Sequence, residues 1–596
     1  MTAPTRLKVP SVEETPGPFA ERSGTEVAAW LEELPLGNPE TAAALVLDAL
    51  HRTNRGPLHQ MSRFEFAERL RPQINGLAEA LQKQYRGAEL PLSANHEHHA
   101  ELVARLYREL AVGFRHSVNY WIERAPKRRD QRNQALLAFQ RAILAQGRAL
   151  LEAYRVYTPE PQGFWRILHT LYANAERLQL QAQPIEGVPD SDETALAIRQ
   201  AYLRIVILAL ANPYHLMQGE AEELYRRIGR WVHFARIAAP ASANQLGGSF
   251  MLDLDSDLPP RYVSAQKGLR IPTSEPRVLE LDALVNTLDQ QIGLLAGTLQ
   301  RSRHGNTLSE RQQYNMYQRF YQALGGRQER KEERRARMAG LRLVGGLSQC
   351  HFVLNGRQPF HPEQDEQRWN QRIAEVSRGS QLELVRDDTL DRGGRMNHNA
   401  RFQGFDAEAD DIWGRANRVA PQDEETDEEF GPEDGDAAHI LQRKNESEGG
   451  LALFQPHNSP LRTRVGALVA FQDPDTEEGA EHWRIGAVRW MRTHPQRGIE
   501  VGIEFIADSA YAGASKASSG PGAGSDYMRT LVVPRVNPIL RPATLITPSG
   551  VYAEGTRLSL NLGELVLQVQ LTEMLESTPL YSHFRFRNIP AGESTR

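Results

Sequence analysis

The first half of the chain has apolar residues at the spacing of one face of an α-helix. Between residues 99 and 114 they recur at every fourth position, at Leu102, Leu106, Leu110 and Phe114. Short Pro- and Gly-containing breaks separate several such stripes, which predicts successive antiparallel helix pairs over residues 24–337, as a bundle or a short solenoid. Residues 238–274 interrupt the pattern and are either a β excursion or a long loop. Residues 1–23 show no period, so we expect a flexible tail.

After residue 340 the pattern becomes that of short β-strands. The segments are rich in Val, Ile, Phe and Trp and are bounded by turn residues, as in a small antiparallel barrel. Strands are predicted at 341–344, 351–354, 451–454, 467–471, 484–491 and 501–506. A polar stretch at about 356–437, with nine acidic residues between 421 and 436, divides them. We therefore predict a barrel over 338–508 that carries a polar, acidic insertion.

The last ninety residues divide into a predicted linker and a predicted β unit. Residues 509–526 are mostly Gly, Ala and Ser, which is typical of a flexible linker. In the following unit, 527–596, leucines alternate on both sides of Gly563, which predicts a hairpin with one buried face. The expected fold class is therefore α+β and multidomain, with an all-α N-terminal half, an antiparallel β-barrel and a small C-terminal β unit.

The charge and the cysteine content of the chain exclude some classes of function and indicate a cellular compartment. The 596 residues include 70 basic and 75 acidic side chains, a net charge of −5, which argues against a protein that coats nucleic acid through its overall charge. Cys350 is the only cysteine, so the chain cannot form an internal disulfide, and a reducing compartment is expected. The chain has no apolar run long enough to cross a membrane, and its first residues do not resemble a signal peptide. We expect a cytoplasmic protein that does not insert into membranes.

Motifs for metal binding or catalysis fail on spacing. The run of residues 96–99 contains three histidines, but Ala100 stands where a zinc-binding HExxH helix needs its second histidine, so a polar helix start capped by Ser93 or Asn95 is the favoured interpretation. The aspartates 253, 255 and 257 lack the Gly and Glu that complete a calcium loop. No nucleophile elbow, phosphate-binding loop or paired-cysteine motif occurs. We expect no enzyme, no metal and no cofactor.

One polar motif stands directly before a predicted strand. Asn445, Ser447 and Gly450 form the pattern Asn-x-Ser-x-x-Gly ahead of the strand at 451–454. A simple polar turn is the alternative interpretation, because Asn and Ser favour turns and Gly adopts positive φ. Two further glycine-containing strand sequences follow in order at short spacing, and their matching positions are Gly486, Val488 and Trp490, then Gly502, Ile503 and Phe505.

This ordered set resembles the PilZ domain, a bacterial family of six-stranded β-barrels that binds cyclic di-GMP. The resemblance covers about residues 440–508 and implies that Asn445, Ser447 and Gly450 contact the nucleotide. The family also carries an Arg-x-x-x-Arg motif before its first strand, and Arg330 and Arg334 match it. The short polar groups and the guanidinium forks would suit guanine, ribose and phosphate.

The long distance along the chain leaves two interpretations of Arg330 and Arg334. Arg334 precedes Asn445 by more than a hundred residues, so either an insertion splits the barrel or the family's arginines are missing here. The alternative for residues 327–337 is a solvated helix end with Glu–Arg pairs.

Three functional hypotheses follow. The first is a non-enzymatic cyclic di-GMP receptor whose helical half is the output domain and binds an unknown protein partner. The second is an interaction scaffold whose barrel has lost the nucleotide. The third is a nucleic-acid binder that uses residues 327–337, against which the net charge argues.

Overall fold

The computed structural model divides the chain into two compact units. It describes residues 5–13, 24–185, 196–240, 248–263, 274–301, 308–325, 335–336, 340–358, 360–362, 438–457, 459–474, 482–494, 497–524, 526–534, 542–563 and 565–589. Unit 1 comprises residues 1–293, 316–329 and 490–499, and unit 2 comprises residues 294–315, 330–489 and 500–596. Two helices, residues 282–301 and 308–325, contribute to both units.

Unit 1 is mainly helical, which confirms the predicted all-α N-terminal half. Its helices are α1 Gly24–Glu32, α2 Pro39–Arg55, α3 Gln60–Tyr85, α4 Ala94–Arg124, α5 Arg129–Arg155, α6 Phe164–Arg177, α7 Ile198–Leu210, α8 Glu220–Trp231, and parts of α9 Asp282–Arg301 and α10 Leu308–Gly325. Ser93 is the N-cap of α4, where its hydroxyl accepts from the backbone N–H of His96. The long helices α4 and α5 pack along each other and bury the predicted apolar stripe, including Leu106 and Phe114.

The interruption near residue 250 is a small antiparallel sheet. Its strands are β1 Arg236–Ala238, β2 Phe250–Asp253, β3 Arg261–Tyr262 and β4 Pro276–Glu280, in the order β1-β4-β2-β3. Of the two predicted alternatives, the β excursion is the one found. Asp253 and Asp257 have structural roles here, since Asp253 accepts from the backbone of Asp255, and Asp257 accepts from the backbone of Gly163 and Arg166.

Unit 2 contains the predicted barrel. Its strands are β5 Arg335–Ala336, β6 Gly340–Gly345, β7 His439–Ser447, β8 Gly450–Pro456, β9 Leu468–Gln472, β10 Arg484–His494 and β11 Gly498–Ala507. The sheet order is β5-β7-β6-β9-β10-β11-β8, and pairing of β7 with β8 closes it. Because β6 and β7 are neighbours, the stretch between them is an insertion into one barrel. Residues 363–437, most of the predicted polar insertion, lie outside the described residues.

One predicted strand of this barrel is wrong. Residues 351–354 belong to helix α11, Leu347–Leu354, which begins after Gly346 at φ 85°. Cys350, predicted on a strand, lies on this helix and is completely buried. The apolar run is short, and such a run has no periodicity that separates a buried helix from a buried strand.

The predicted linker at 509–526 is also contradicted, because a strand begins there. β12 Tyr511–Ser519 opens a second closed barrel with β13 Met528–Val533, β14 Thr544–Pro548, β15 Arg557–Asn561, β16 Val566–Ser577 and β17 Tyr581–Asn588. A Cβ on Gly513 would lie 2.8 Å from the side chain of Leu562 and 3.0 Å from the Asn561 carbonyl. The small residues therefore reflect close packing of strands rather than flexibility.

The C-terminal unit confirms the predicted hairpin and repeats the topology of the first barrel. Leu558 pairs with Val569 and Leu560 with Leu567 across the turn at Gly563, which has φ 81°. Around the first barrel the strands follow the order β6-β7-β8-β11-β10-β9, and around the second they follow the order β12-β13-β14-β17-β16-β15. If the six strands of each barrel are numbered in chain order, both barrels therefore have the strand order 1-2-3-6-5-4.

The two barrels of unit 2 share one apolar core. Helix α11 supplies Cys350 to a cluster that contains residues of both barrels and is almost fully buried. The His351 ring donates from Nε2 to the carbonyl of Gly513 on β12, at 3.0 Å. Principal members of the cluster are Val344, Leu468, Ile485, Leu531, Ile546 and Tyr581. Each such aliphatic side chain contributes about 1.5–3 kcal/mol by burial, so the barrels stabilise each other.

Candidate functional site

The Asn-x-Ser-x-x-Gly motif forms the turn between β7 and β8. In this antiparallel pairing Ser447 lies opposite Gly450, and Asn445 lies opposite Ala452 after an irregularity in register that follows Arg443. The Ser447 hydroxyl donates to the carbonyl oxygen of Gly450 at 3.2 Å. Three of the sequence-predicted site residues are thus brought together on one turn, with the Ser447 side chain closing it.

Gly450 is required by a close approach of β11. A Cβ on this residue would lie 2.4 Å from the carbonyl oxygen of Ile503, closer than real Cβ contacts come. The backbone N–H of Phe505 donates to the carbonyl of Gly449 at 2.9 Å. The motif turn is therefore fixed against the strand that carries the predicted Gly-Ile-x-Phe sequence, and a side chain at position 450 would push the two apart.

Strand β5 runs beside the same motif. Ala336 pairs with Asn445, and Arg335 pairs with Glu446. The predicted arginines Arg330 and Arg334 lie outside the described residues. Their immediate successor, Arg335, is nevertheless at the motif in spite of the long sequence separation, because β7 pairs with both β5 and β6.

A buried arginine lies directly behind the motif. The Arg443 side chain is 2% exposed, and its guanidinium is 2.7 Å from Glu446 Oε2 and 2.5 Å from Asp473 Oδ2. Burial alone would lower the pKa of Arg443, but the hydrogen bonds to Asp473 and Glu446 outweigh it and raise the pKa. This permanently charged group holds the Glu446 side chain in place, so it stabilises the motif strand. Sequence reasoning missed Arg443 because its partners become apparent only in the folded sheet.

A second arginine on the same carboxylate is more exposed. Arg484, at the start of β10, has Nη1 3.5 Å from Glu446 Oε1 and Nη2 3.0 Å from Asp508 Oδ1. Its Cζ lies 4.1 Å from the ring centre of Phe505 and 5.3 Å from that of Phe471. Nothing in the sequence distinguished it from the many other arginines.

Other candidate chemistry is absent from the described part of the chain. Burial raises the pKa of the Cys350 thiol, so this group is an inert part of the core rather than a nucleophile. Among the described residues no group of three or more His, Cys, Asp or Glu side chains could hold a metal ion. None of the helices described is both long enough and apolar enough to cross a bilayer.

Comparison with known proteins finds matches along nearly the whole chain. Three family models match consecutive segments: the N-terminal domain of the cyclic-di-GMP receptor FimW at residues 25–242, its middle PilZ domain at 249–511, and its C-terminal β-barrel domain at 512–589. The cyclic-di-GMP receptor FimW of Pseudomonas aeruginosa is 25% identical over 597 aligned residues, which cover 98% of this chain and 93% of that protein. No solved structure matches the chain.

Proposed function

Because this chain belongs to the PilZ-containing family whose three domain models it matches in order, we propose that it is a non-enzymatic cyclic di-GMP receptor. The nucleotide site is the turn between β7 and β8 together with the arginine segment that precedes β6. Asn445, Ser447 and Gly450 form one side, and Arg330 and Arg334 supply the guanidinium groups of the other.

The pairing of Ala336 with Asn445 carries this proposal. It supports the inclusion of the arginine pair in the site, because β5 begins directly after Arg334 in the sequence and pairs with the end of the motif strand. Arg334 precedes Arg335 by one peptide bond, and consecutive Cα atoms are about 3.8 Å apart. We therefore include Arg334 among the residues proposed to bind the ligand.

The ligand chemistry fits these residue types. Cyclic di-GMP carries two phosphates and two guanines, and a guanidinium fork binds phosphate oxygens or the O6/N7 edge of guanine in a bidentate manner. Asn445 and Ser447 supply short polar groups to guanine or ribose. Gly450 lets β11 pack against the turn that carries Asn445 and Ser447, so it keeps these two groups in place for the ligand.

The helical half is the proposed output domain, which binds a protein partner. Strand β10 begins in unit 2 and strand β11 ends there, and their connecting tip, residues 490–499, belongs to unit 1. Within unit 1 the backbone N–H of Thr493 donates to the Tyr157 carbonyl at 2.8 Å, and its hydroxyl donates to the Val156 carbonyl at 3.2 Å. These two carbonyls directly follow the C-terminus of α5, where backbone carbonyl groups no longer have N–H donors within the helix. We infer that a change in β10 or β11 on nucleotide binding reaches the end of α5 through this tip.

The site is proposed to act in the cytoplasm and to return its ligand unchanged. The single, buried cysteine is compatible with a reducing compartment, and the Ser447 hydroxyl of the motif turn donates to the Gly450 carbonyl rather than to a base.

Isothermal titration calorimetry with the full chain and cyclic di-GMP tests the proposal. Wild type is expected to bind, Ser447→Ala to bind about five- to a hundredfold more weakly through loss of one hydrogen bond, and the ligand to be recovered intact by chromatography. Ser518→Ala, on an exposed serine of β12 that donates to the Arg557 carbonyl, is the matched control and should bind like wild type. Absence of binding by wild type at high micromolar ligand would reject the receptor and leave the scaffold.

A further inference from the structure

Arg484 is held on a pair of aromatic rings at the edge of the motif turn. It lies opposite Phe471 in the pairing of β10 with β9, and Phe505 comes from the next strand, β11. The two rings are stacked with centres 5.3 Å apart, and the guanidinium carbon lies 4.1 Å from the nearer centre. Such cation–π contacts fix the side chain in one orientation.

The same guanidinium contacts the motif. Its Nη1 is 3.5 Å from the Glu446 carboxylate, and Glu446 stands between Asn445 and Ser447 in the sequence. The ring beneath it belongs to Phe505, whose backbone N–H binds the Gly449 carbonyl of the turn. Arg484 therefore lies beside the turn through both its side-chain contacts and the strand that supports it.

Exposure separates the two arginines that share Glu446. Arg443 is 2% exposed with both terminal nitrogens on carboxylates, whereas the Arg484 side chain is 32% exposed. The other partner of Arg484 is Asp508, which is 83% exposed. Ion pairs this open to water contribute little and exchange readily, so a ligand can replace Asp508. Arg443 therefore stabilises the motif strand, whereas the guanidinium of Arg484 is accessible to a ligand.

We propose that Arg484 is a further ligand-binding residue of the nucleotide site and that it donates to the O6/N7 edge of a guanine base. The proposal rests on the proposed function above. Guanidinium to the O6/N7 edge is the commonest specific contact between proteins and guanine, and a fork already fixed on two rings loses less freedom on binding than a mobile one. Lysine cannot reproduce the two parallel donors.

Calorimetry with the full chain tests the contact by substitution. Arg484→Ala is expected to weaken cyclic di-GMP binding about ten- to a hundredfold, and Arg484→Lys to restore little of it. Arg587→Ala, which removes an exposed arginine from β17 of the other barrel, is the matched control and should bind like wild type. If Arg484→Ala unfolds, as judged by its thermal melt, Arg484→Lys carries the comparison because it keeps the charge and the apolar stem.

An analogue of the ligand separates a contact from an indirect effect. Cyclic di-GMP with 7-deazaguanine bases lacks the N7 acceptor, so wild type should bind it about tenfold more weakly than the natural ligand. In Arg484→Ala this preference should decrease, because one donor that reads N7 is gone, and in Arg484→Lys it should decrease less. If Arg484 only positioned Glu446, both ligands would weaken in parallel and the preference would persist.

The outcomes distinguish this inference from the function on which it rests. No binding by wild type overturns both. If Ser447→Ala binds weakly while Arg484→Ala binds like wild type, the proposed receptor function is supported. The same result would show that Arg484 does not bind the nucleotide. An undiminished preference for the natural ligand in Arg484→Ala, or full rescue by lysine, overturns the guanine-edge contact.

Discussion

Ala336 lies opposite Asn445 in the antiparallel pairing of β5 with β7, although a large insertion separates them in the sequence. β7 reaches this pairing because it is long: its first residues pair with β6, and its last residues pair with β5. Strand β5 and the end of β7 thus lie side by side. The split-barrel interpretation therefore requires no unusual geometry at the site.

Arginine substitutions test whether the segment before β5 binds the nucleotide. If Arg330 and Arg334 bind the nucleotide, substitution of either by alanine should weaken cyclic di-GMP binding at least as much as Ser447→Ala does. The reason is that a charge-assisted bidentate contact is stronger than a neutral hydrogen bond. Substitution by lysine should rescue little. Titration calorimetry at two salt concentrations gives the affinities.

Two neighbouring arginines serve as controls for that experiment. Arg335→Ala and Arg337→Ala make the same change in charge outside the Arg-x-x-x-Arg pattern and should leave binding within about twofold. Equal, mild losses for all four variants that disappear in high salt would mean a diffuse positive surface instead of a pair of specific contacts.

Gly450→Ala is expected to damage both the barrel and the site. The new Cβ would lie 2.4 Å from the Ile503 carbonyl, so β11 or the motif turn must move, at a cost of about 1–3 kcal/mol. We expect a lower melting temperature by differential scanning fluorimetry, together with weaker nucleotide binding.

Gly345→Ala is the matched control within the same barrel. Its Cβ would meet the Arg462 carbonyl at 3.7 Å, an ordinary contact. Its melting temperature should equal or slightly exceed that of wild type, since alanine has less freedom to lose on folding. Equal stability of the two glycine variants would show that β11 does not constrain the motif turn.

Local signals in the sequence predicted most elements but not the contacts between them. The hairpin at Gly563 and the turn after Ser447 depend on residues close in sequence, so their patterns could be recognised. β12 was missed because its small residues allow close packing against the neighbouring strand β15, as at Gly513, and this reason for being small is non-local in sequence. Composition alone cannot distinguish that reason from flexibility.

The candidate site could be recognised from the sequence only in part, for the same reason. Asn445, Ser447 and Gly450 form a contiguous motif, whereas Arg443 and Arg484 act through carboxylates and rings on other strands. Whether β5 would pair with Asn445 depended on strand order, which periodicity does not determine. In a chain with few lysines and many arginines, no residue-level signal marks an arginine as functional before its partners are known.

The His351 contact between the barrels predicts a loss of stability in mild acid. Burial lowers the pKa of His351 to about 4, and nearby Arg529 adds to this, although the hydrogen bond to Gly513 opposes it. In the unfolded chain the ring titrates near 6.5, so between about pH 6.5 and 4 the unfolded state binds a proton that the folded state does not. The stability contributed by this group is therefore complete above pH 6.5 and decreases as the pH falls towards 4.

Substitution of the ring isolates this contribution. In His351→Gln, whose amide can still donate to the Gly513 carbonyl, the decline between pH 7 and 5 should be shallower by about 1–2 kcal/mol, measured by urea unfolding. His583, whose pKa burial also lowers to about 4, is present in both proteins and cancels in the difference. Parallel curves for the two proteins would show that His351 does not titrate differently on folding.

Removal of the insertion tests the barrel assignment itself. Described residues of β6 and β7 pair directly, from Gly340 with Gln442 to Leu343 with His439, so both strands and their ladder are present without residues 364–437. Replacement of these residues by a Gly/Ser linker of about fifteen residues, which spans up to roughly 50 Å, should leave the melting temperature and the cyclic di-GMP affinity close to wild type. The shorter loop costs slightly less entropy to close, so a small gain in stability is expected.

A second variant keeps the length of the insertion and changes its nine acidic residues between 421 and 436 to Asn or Gln, which separates the effect of charge from that of length. If the shortened protein fails to fold or to bind while the neutralised one succeeds, the segment supplies contacts to the barrel and is not a mere insertion.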